Sequence, residues 1–144
     1  MSATSDFSKI EDIILQDDIR GMEALRAHMK PGWLEASAQL ILDHPGKILI
    51  ATGFYILRAA EPETDGPPGA IAIGEALKIL GNSVAYVTDE KCSTVMRAIA
   101  GEDEVIEFPI TSHHESSVFA HELLAKHAPS ALISIERAGL LGDG

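Results

Sequence analysis

The sequence predicts an α/β fold: a three-layer, mostly parallel, doubly wound (Rossmann-like) sheet preceded by an N-terminal helical segment. Three observations carry that expectation. From Lys47 onward, short apolar runs rich in β-branched residues alternate with helical stretches, the pattern of βαβ units joined by right-handed crossovers. The first run, Lys47-Ile48-Leu49-Ile50-Ala51, has no polar face, as a strand buried on both sides requires. After it comes a long loop, Thr52 to Ala70, holding three prolines, three glycines, two Glu and one Asp. Loops of that length in compact domains are usually functional or disordered, and this one is specific in composition.

Two parts are expected, an N-terminal helical segment (1–46) packing on a sheet domain (47–144). In the first, Ser8-x-x-Glu11 has the form of a capping box, with Ile10, Ile13 and Ile14 on one helical face. Arg20-Gly21 breaks that pattern, and Met22, Leu25 and Met29 suggest a second short helix. Pro31-Gly32 punctuates before a third, marked by Trp33, Leu34, Ala38 and Ile41 and stopped by His44-Pro45-Gly46.

In the second part, strand 47–52 leads through the long loop into a helix over 69–80, where Ala70, Ile73, Leu77 and Leu80 recur at helical spacing before Gly81-Asn82. A strand over 84–88 ends at Asp89, and a helix covers about 91–100. A third strand, 104–108, stops at Pro109; a helix over about 115–127 turns Phe119, Ala120, Leu123 and Leu124 inward. The fourth strand, 131–135, ends at Glu136-Arg137. The sequence then runs Gly139-Leu140-Leu141-Gly142-Asp143-Gly144, the look of another glycine-rich loop, so an incomplete domain is expected, with the far side of the fourth strand exposed or covered by self-association.

Charge and composition exclude several functions. The net charge is −11 over 144 residues, which argues against nucleic acid and anionic membrane, since both select basic surfaces. No apolar run approaches the ~20 residues of a membrane-spanning helix. The single cysteine, Cys92, excludes an intramolecular disulfide and the usual zinc knuckle. With no secretion signal in its first residues, the chain is expected in the cytoplasm.

Ligands of open parallel sheets bind beyond the carboxyl ends of the strands, where the strand order reverses. With the first strand central and the fourth beside it, that crevice falls between Thr52–Gly69 and Glu136–Gly144. Helix-start N–H groups there attract carboxylate, and Arg137 can clamp one with two hydrogen bonds. Glu63, Asp65 and Glu136 are candidate acids, bases or metal ligands. Asp65 has a plainer role open to it, forming the turn before Gly66, and Glu136 with Arg137 one as a surface ion pair. Phosphate and nucleotide cofactors are not expected: neither G-x-G-x-x-G nor a P-loop lysine is present. His113-His114-Glu115 lacks a third ligand at helical spacing, Cys92 reads as a packing residue, and His121 and His127 are expected on the solvent face.

Five blocks together resemble the D-glutamate cyclase-like family: Arg20-Gly21-Met22, Ala51-Thr52-Gly53-Phe54, Glu63-Thr64-Asp65-Gly66-Pro67-Pro68-Gly69-Ala70, Tyr86-Val87-Thr88-Asp89 and Ile135-Glu136-Arg137-Ala138-Gly139. The family's domain forms the C-terminal part of a longer mitochondrial enzyme in animals and often stands alone in bacteria. The resemblance implies a lyase that cyclises D-glutamate to 5-oxo-D-proline with loss of water. It also implies further strands and helices past the equivalent of Gly144, a missing C-terminal half or a homo-oligomer that supplies it. Matched to that chemistry, the candidate residues are Asp65 and Glu136 for catalysis, and Arg20, Thr52, Gly53, Thr64, Gly66, Gly69 and Arg137 for binding a small anionic amino-acid substrate. Either Asp65 or Glu136 would serve as base, Arg137 and Arg20 as cationic clamp, and Gly66 and Gly69 as N–H donors. A divalent metal ion on Asp65, Glu136 and Asp143 would replace part of the clamp. The competing expectation is a non-catalytic domain that binds a small carboxylate or docks a partner.

Overall fold

The computed structural model describes residues 6–16, 19 and 21–137. The chain divides into two compact units, Met1–His44 and Pro45–Gly144.

The first unit contains α1 (Asp6–Ile14), a 3₁₀ helix (Met22–His28) and α2 (Trp33–Asp43). Ser8 and Glu11 are not a capping box, because the helix already runs from Asp6. Glu11 is instead 5% exposed. It accepts the Leu34 N–H at 3.3 Å and faces Arg26 at 3.6 Å, tying the three helices together. Gly21 and Gly32 precede the second and third helices with φ of 72° and 70°, which glycine adopts without a side-chain penalty.

The second unit begins with β1 (Lys47–Gly53). A two-residue antiparallel hairpin follows, β2 (Tyr55–Ile56) with β3 (Glu61–Pro62), so the long loop is partly ordered by its own backbone. Then come α3 (Gly66–Ile79), β4 (Ser83–Asp89), α4 (Ser93–Ile99), β5 (Glu104–Phe108), α5 (His113–His127) and β6 (Ala131–Arg137). The helix after the loop starts three residues before the expected position, with Pro67 and Pro68 in its first turn, where a missing N–H costs nothing.

The main sheet has the order β5-β4-β1-β6 and is parallel throughout. The chain therefore steps outward from β1 through β4 to β5, and α5 carries it back to β6 on the other side of β1. Alternation assigns the faces. Leu49, Ala85 and Val87 pack with Leu123 and Phe119 of α5. Tyr86, one residue out of phase with Ala85 and Val87, lies against Gly74 of α3 on the opposite face. α4 joins α3 there, contacting β4 and β5. Helices thus flank both faces, the expected three layers.

A true capping box does exist, at the start of α5. Ser112 Oγ accepts the Glu115 N–H at 3.3 Å, and the Glu115 carboxylate accepts the Ser112 N–H at 3.4 Å. His113 and His114 lie in that first turn. His127 is a correction to the solvent-face expectation: its side chain is only 6% exposed. Its Nδ1 accepts from Lys47 Nζ at 2.8 Å, while the same ammonium reaches Glu104 at 2.9 Å. His121 is exposed as expected. No helix among the described residues is long and apolar enough to cross a membrane.

Candidate active site

The site is built where β1 and β6 lose register. The two strands pair evenly up to Thr52 with Ile135, and the next pair is Gly53 with Arg137. Glu136 is therefore the extra residue of a bulge, and its φ is 46°. A side chain in that left-handed region costs on the order of 1–3 kcal/mol. Bulges of this kind re-aim a side chain, and here Glu136 is directed over the start of α3. A methyl built on Gly66 would lie 3.1 Å from Glu136 Cβ and 3.2 Å from its Oε2.

Glu63 and Asp65 complete a group of carboxylates. The Glu63 N–H donates to Phe54 O at 2.7 Å, which anchors the segment leaving the hairpin. Asp65 occupies the position before α3 but makes no side-chain capping bond. Its plainer turn-forming role is thus unsupported. One carboxylate oxygen each from Glu63, Asp65 and Glu136 lie within 4.8 Å of one another. Glu63 is half-buried; Asp65 and Glu136 are exposed. Neither Glu63 nor Asp65 forms an ion pair among the described residues.

The floor of the crevice is polar and tightly packed. Thr52 is fully buried, and its Oγ1 has no hydrogen-bond partner; the same holds for Oγ1 of Thr88. Thr52 Oγ1 lies 3.0 Å from the methyl position on Gly66. Gly53, at φ 117°, passes so close to Thr88 and Cys92 that an added Cβ would sit 2.5 Å from Thr88 Oγ1. Only glycine fits there.

Arg137 is engaged by the protein itself. Its Nη1 donates to Gly53 O at 3.0 Å and forms an ion pair with Asp89 Oδ2. Asp89 also accepts the N–H groups of Lys91 at 3.0 Å and Cys92 at 3.2 Å. Burial pushes the Asp89 carboxyl up, but the Arg137 guanidinium and these two N–H groups outweigh it, and the net shift is below the ordinary carboxylate value. Burial, with the Asp89 charge second, raises the Cys92 thiol. Such a thiol is a packing group rather than a nucleophile.

Of the residues marked from sequence, Thr52, Gly53, Asp65, Gly66, Glu136 and Arg137 meet around the carboxyl ends of β1 and β6. Thr64 is exposed between the two acids. The Gly69 N–H bonds Asp65 O at 3.4 Å, so it belongs to the helix. Arg20 and Asp143 lie outside the described residues. The sequence marks Asp89 as a strand end and as the last residue of the Tyr86-Val87-Thr88-Asp89 block, and its place at the carboxyl edge is the signal for its role here. Glu63 takes the third carboxylate place. His113 and His114 are not among the grouped ligands. Chemically, the crevice offers carboxylates for proton transfer, a helix start, a guanidinium and a buried hydroxyl.

A family model described as D-glutamate cyclase-like, C-terminal, matches residues 10–144. Human mitochondrial D-glutamate cyclase is 36% identical over 122 residues, covering 74% of this chain and 20% of the human protein. The chain thus spans about a fifth of that relative's length.

Proposed function

Because the chain belongs to the D-glutamate cyclase-like C-terminal family, we propose that it is a lyase that closes D-glutamate to 5-oxo-D-proline and releases water. The reaction needs the amine nitrogen to attack the side-chain carboxyl carbon. A C–N bond forms, a C–O bond breaks, and the oxygen departs as water. One carboxylate takes the amine proton and another group returns a proton to the leaving oxygen; Asp65 and Glu136 are the pair for these roles. The Gly66 N–H, at the first position of α3, has no partner within the helix and suits the developing oxyanion. Arg137 holds five N–H donors, and both of its contacts described above use Nη1. The rest of its fork is the natural handle for the α-carboxylate. A cytoplasmic setting and a small anionic amino acid as partner belong to the same proposal.

The observation that carries this reading is the gathering of Glu63, Asp65 and Glu136 within 4.8 Å at the point where the strand order reverses. The test is direct: incubate the purified chain with D-glutamate and follow 5-oxo-D-proline by chiral chromatography. Turnover that disappears in Asp65→Asn supports the lyase. A second reading is favoured by the Arg137 guanidinium at the same strand ends, which can hold a carboxylate with no chemistry: a domain that binds a small carboxylate without turning it over. Saturable D-glutamate binding with no product is its signature. Neither binding nor product overturns both.

A further inference from the structure

We infer that the cavity between β6 and α5 is a binding site for a small monocarboxylate with an apolar chain or ring. The cavity exists because α5 covers β1 and leaves β6 partly open. Leu132 pairs with Leu49 across the two strands. Leu49 is fully buried in the cluster that includes Leu123 of α5, yet Leu132 is 60% exposed. Leu124 of α5 is 44% exposed. The space so left has a volume of about 240 Å³, and Ala51, Phe108, Ala120, Leu124 and Leu132 line it with Arg137. A dry apolar cavity of roughly 150 Å³ already holds a benzene ring, so a ring or a short alkyl chain fits here.

The wall also says what the other end of the ligand is. Arg137 is its one charged group among the described residues. Both contacts of that guanidinium, to Gly53 O and to Asp89, are made by Nη1. Asp89 thereby holds the group in place, while donors on its other nitrogens can take both oxygens of a carboxylate. An apolar wall with a single guanidinium matches an amphipathic anion, tail against the leucines and head on the arginine. A neutral hydrocarbon would leave those donors unused. A dicarboxylate would strand its second charge against apolar carbon, which is costly. D-Glutamate is therefore not the occupant. The cavity shares Arg137 with the proposed reaction site but does not depend on that reading, since none of Glu63, Asp65 and Glu136 lines it.

The experiment uses the full chain and hexanoate as the probe, read by isothermal titration calorimetry at several temperatures. The expected result is one saturable site per chain with a negative heat-capacity change, the mark of buried apolar surface. Acetate, which keeps the head, and 1-hexanol, which keeps the chain, should each bind at least ~10-fold more weakly. Ala120→Phe fills the cavity from α5 and should abolish binding, with folding checked by circular dichroism. Arg137→Lys keeps the charge, loses the fork and should weaken hexanoate binding at least ~10-fold. Lys126→Gln removes a positive charge from an exposed part of α5 outside the cavity and should leave binding unaltered. No saturable binding, equal affinity for 1-hexanol, or unchanged binding in Ala120→Phe or Arg137→Lys overturns the site. So does a dimer that Leu132→Glu disperses and hexanoate does not, because a second copy would then be the occupant. D-Glutamate turnover enters none of these measurements, so either proposal can fail without the other.

Discussion

Two acidic centres sit at the same edge of the sheet and are handled in opposite ways. Asp89, at the end of β4, is buried, paired with Arg137 and bonded by two backbone N–H groups. One strand over, beyond β1 and β6, Glu63, Asp65 and Glu136 collect on partly or fully exposed groups around a hydroxyl without a partner. The first centre is internally satisfied and holds the end of β6 against β1 and β4. The second concentrates negative charge and strain. The difference teaches where stability and chemistry part company: a buried ion pair fixes backbone, whereas exposed, converging carboxylates leave charge where a ligand can meet it.

The largest effect should come from breaking the satisfied centre. Asp89→Asn leaves a guanidinium with no countercharge. Losing one partner of a buried pair typically costs ~3–5 kcal/mol. Arg137 is 30% exposed, so water screens part of that and ~2–3 kcal/mol is expected. The pH dependence has a definite sign. The folded-state value of Asp89 is depressed, so its contribution is present above the unfolded carboxylate value of about 3.9 and fades as pH falls through the folded one. Urea unfolding at pH 7 and pH 3 checks both parts. A variant as stable as the wild type at pH 7 would erase the contrast between the centres.

The second centre is sharpened at its strained residue. Glu136→Gly relieves a left-handed φ, a gain of about 1–3 kcal/mol, against about 0.5–1 kcal/mol of added backbone entropy in the unfolded chain. A net gain of between about 0 and 2.5 kcal/mol is expected, together with a loss of turnover of ~10²–10⁴. Denaturation and product formation are measured on the same preparation. Lower stability would mean that the Glu136 side chain supports the bulge rather than the site.

Much of the fold was legible because its signals are local. Lys47–Ala51 lacks a polar face and is a central strand, and the alternation after it sets strands within a residue or two of their observed bounds. What failed depended on partners distant in sequence. Ser8 and Glu11 match a capping pattern, yet Glu11 is claimed by the Leu34 N–H, 23 residues away. His127 is drawn inward by Lys47, 80 residues away. The same holds for the site. Asp65, Glu136 and Arg137 were nameable from their places at strand and helix ends. The bulge that aims Glu136 depends on register between β1 and β6, and the Asp89–Arg137 pair joins residues 48 apart. No window on one segment contains either.

The smallest change in stability, and the cleanest division of roles, belongs to Asp65. Its side chain makes no capping bond to α3, so Asp65→Asn removes no hydrogen bond that holds the helix start. It keeps the size of the side chain and cancels one charge among three converging carboxylates. The stability change should stay below ~0.5 kcal/mol, the usual range for a mild surface substitution, and relief of repulsion with Glu63 and Glu136 favours a slight gain. Turnover of D-glutamate should nevertheless fall by ~10²–10⁴ if this carboxylate moves the proton. Arg137→Lys is the matched comparison on the other side of the crevice. It keeps the charge that faces Asp89 but loses the planar fork, so it should weaken D-glutamate binding while the fold survives. The two variants together separate the centres: one alters chemistry without touching stability, the other alters binding through a residue that also holds the strand. Equal turnover in wild type and Asp65→Asn, on protein that binds D-glutamate, would remove Asp65 from the catalytic pair and leave Glu136 to carry the base role.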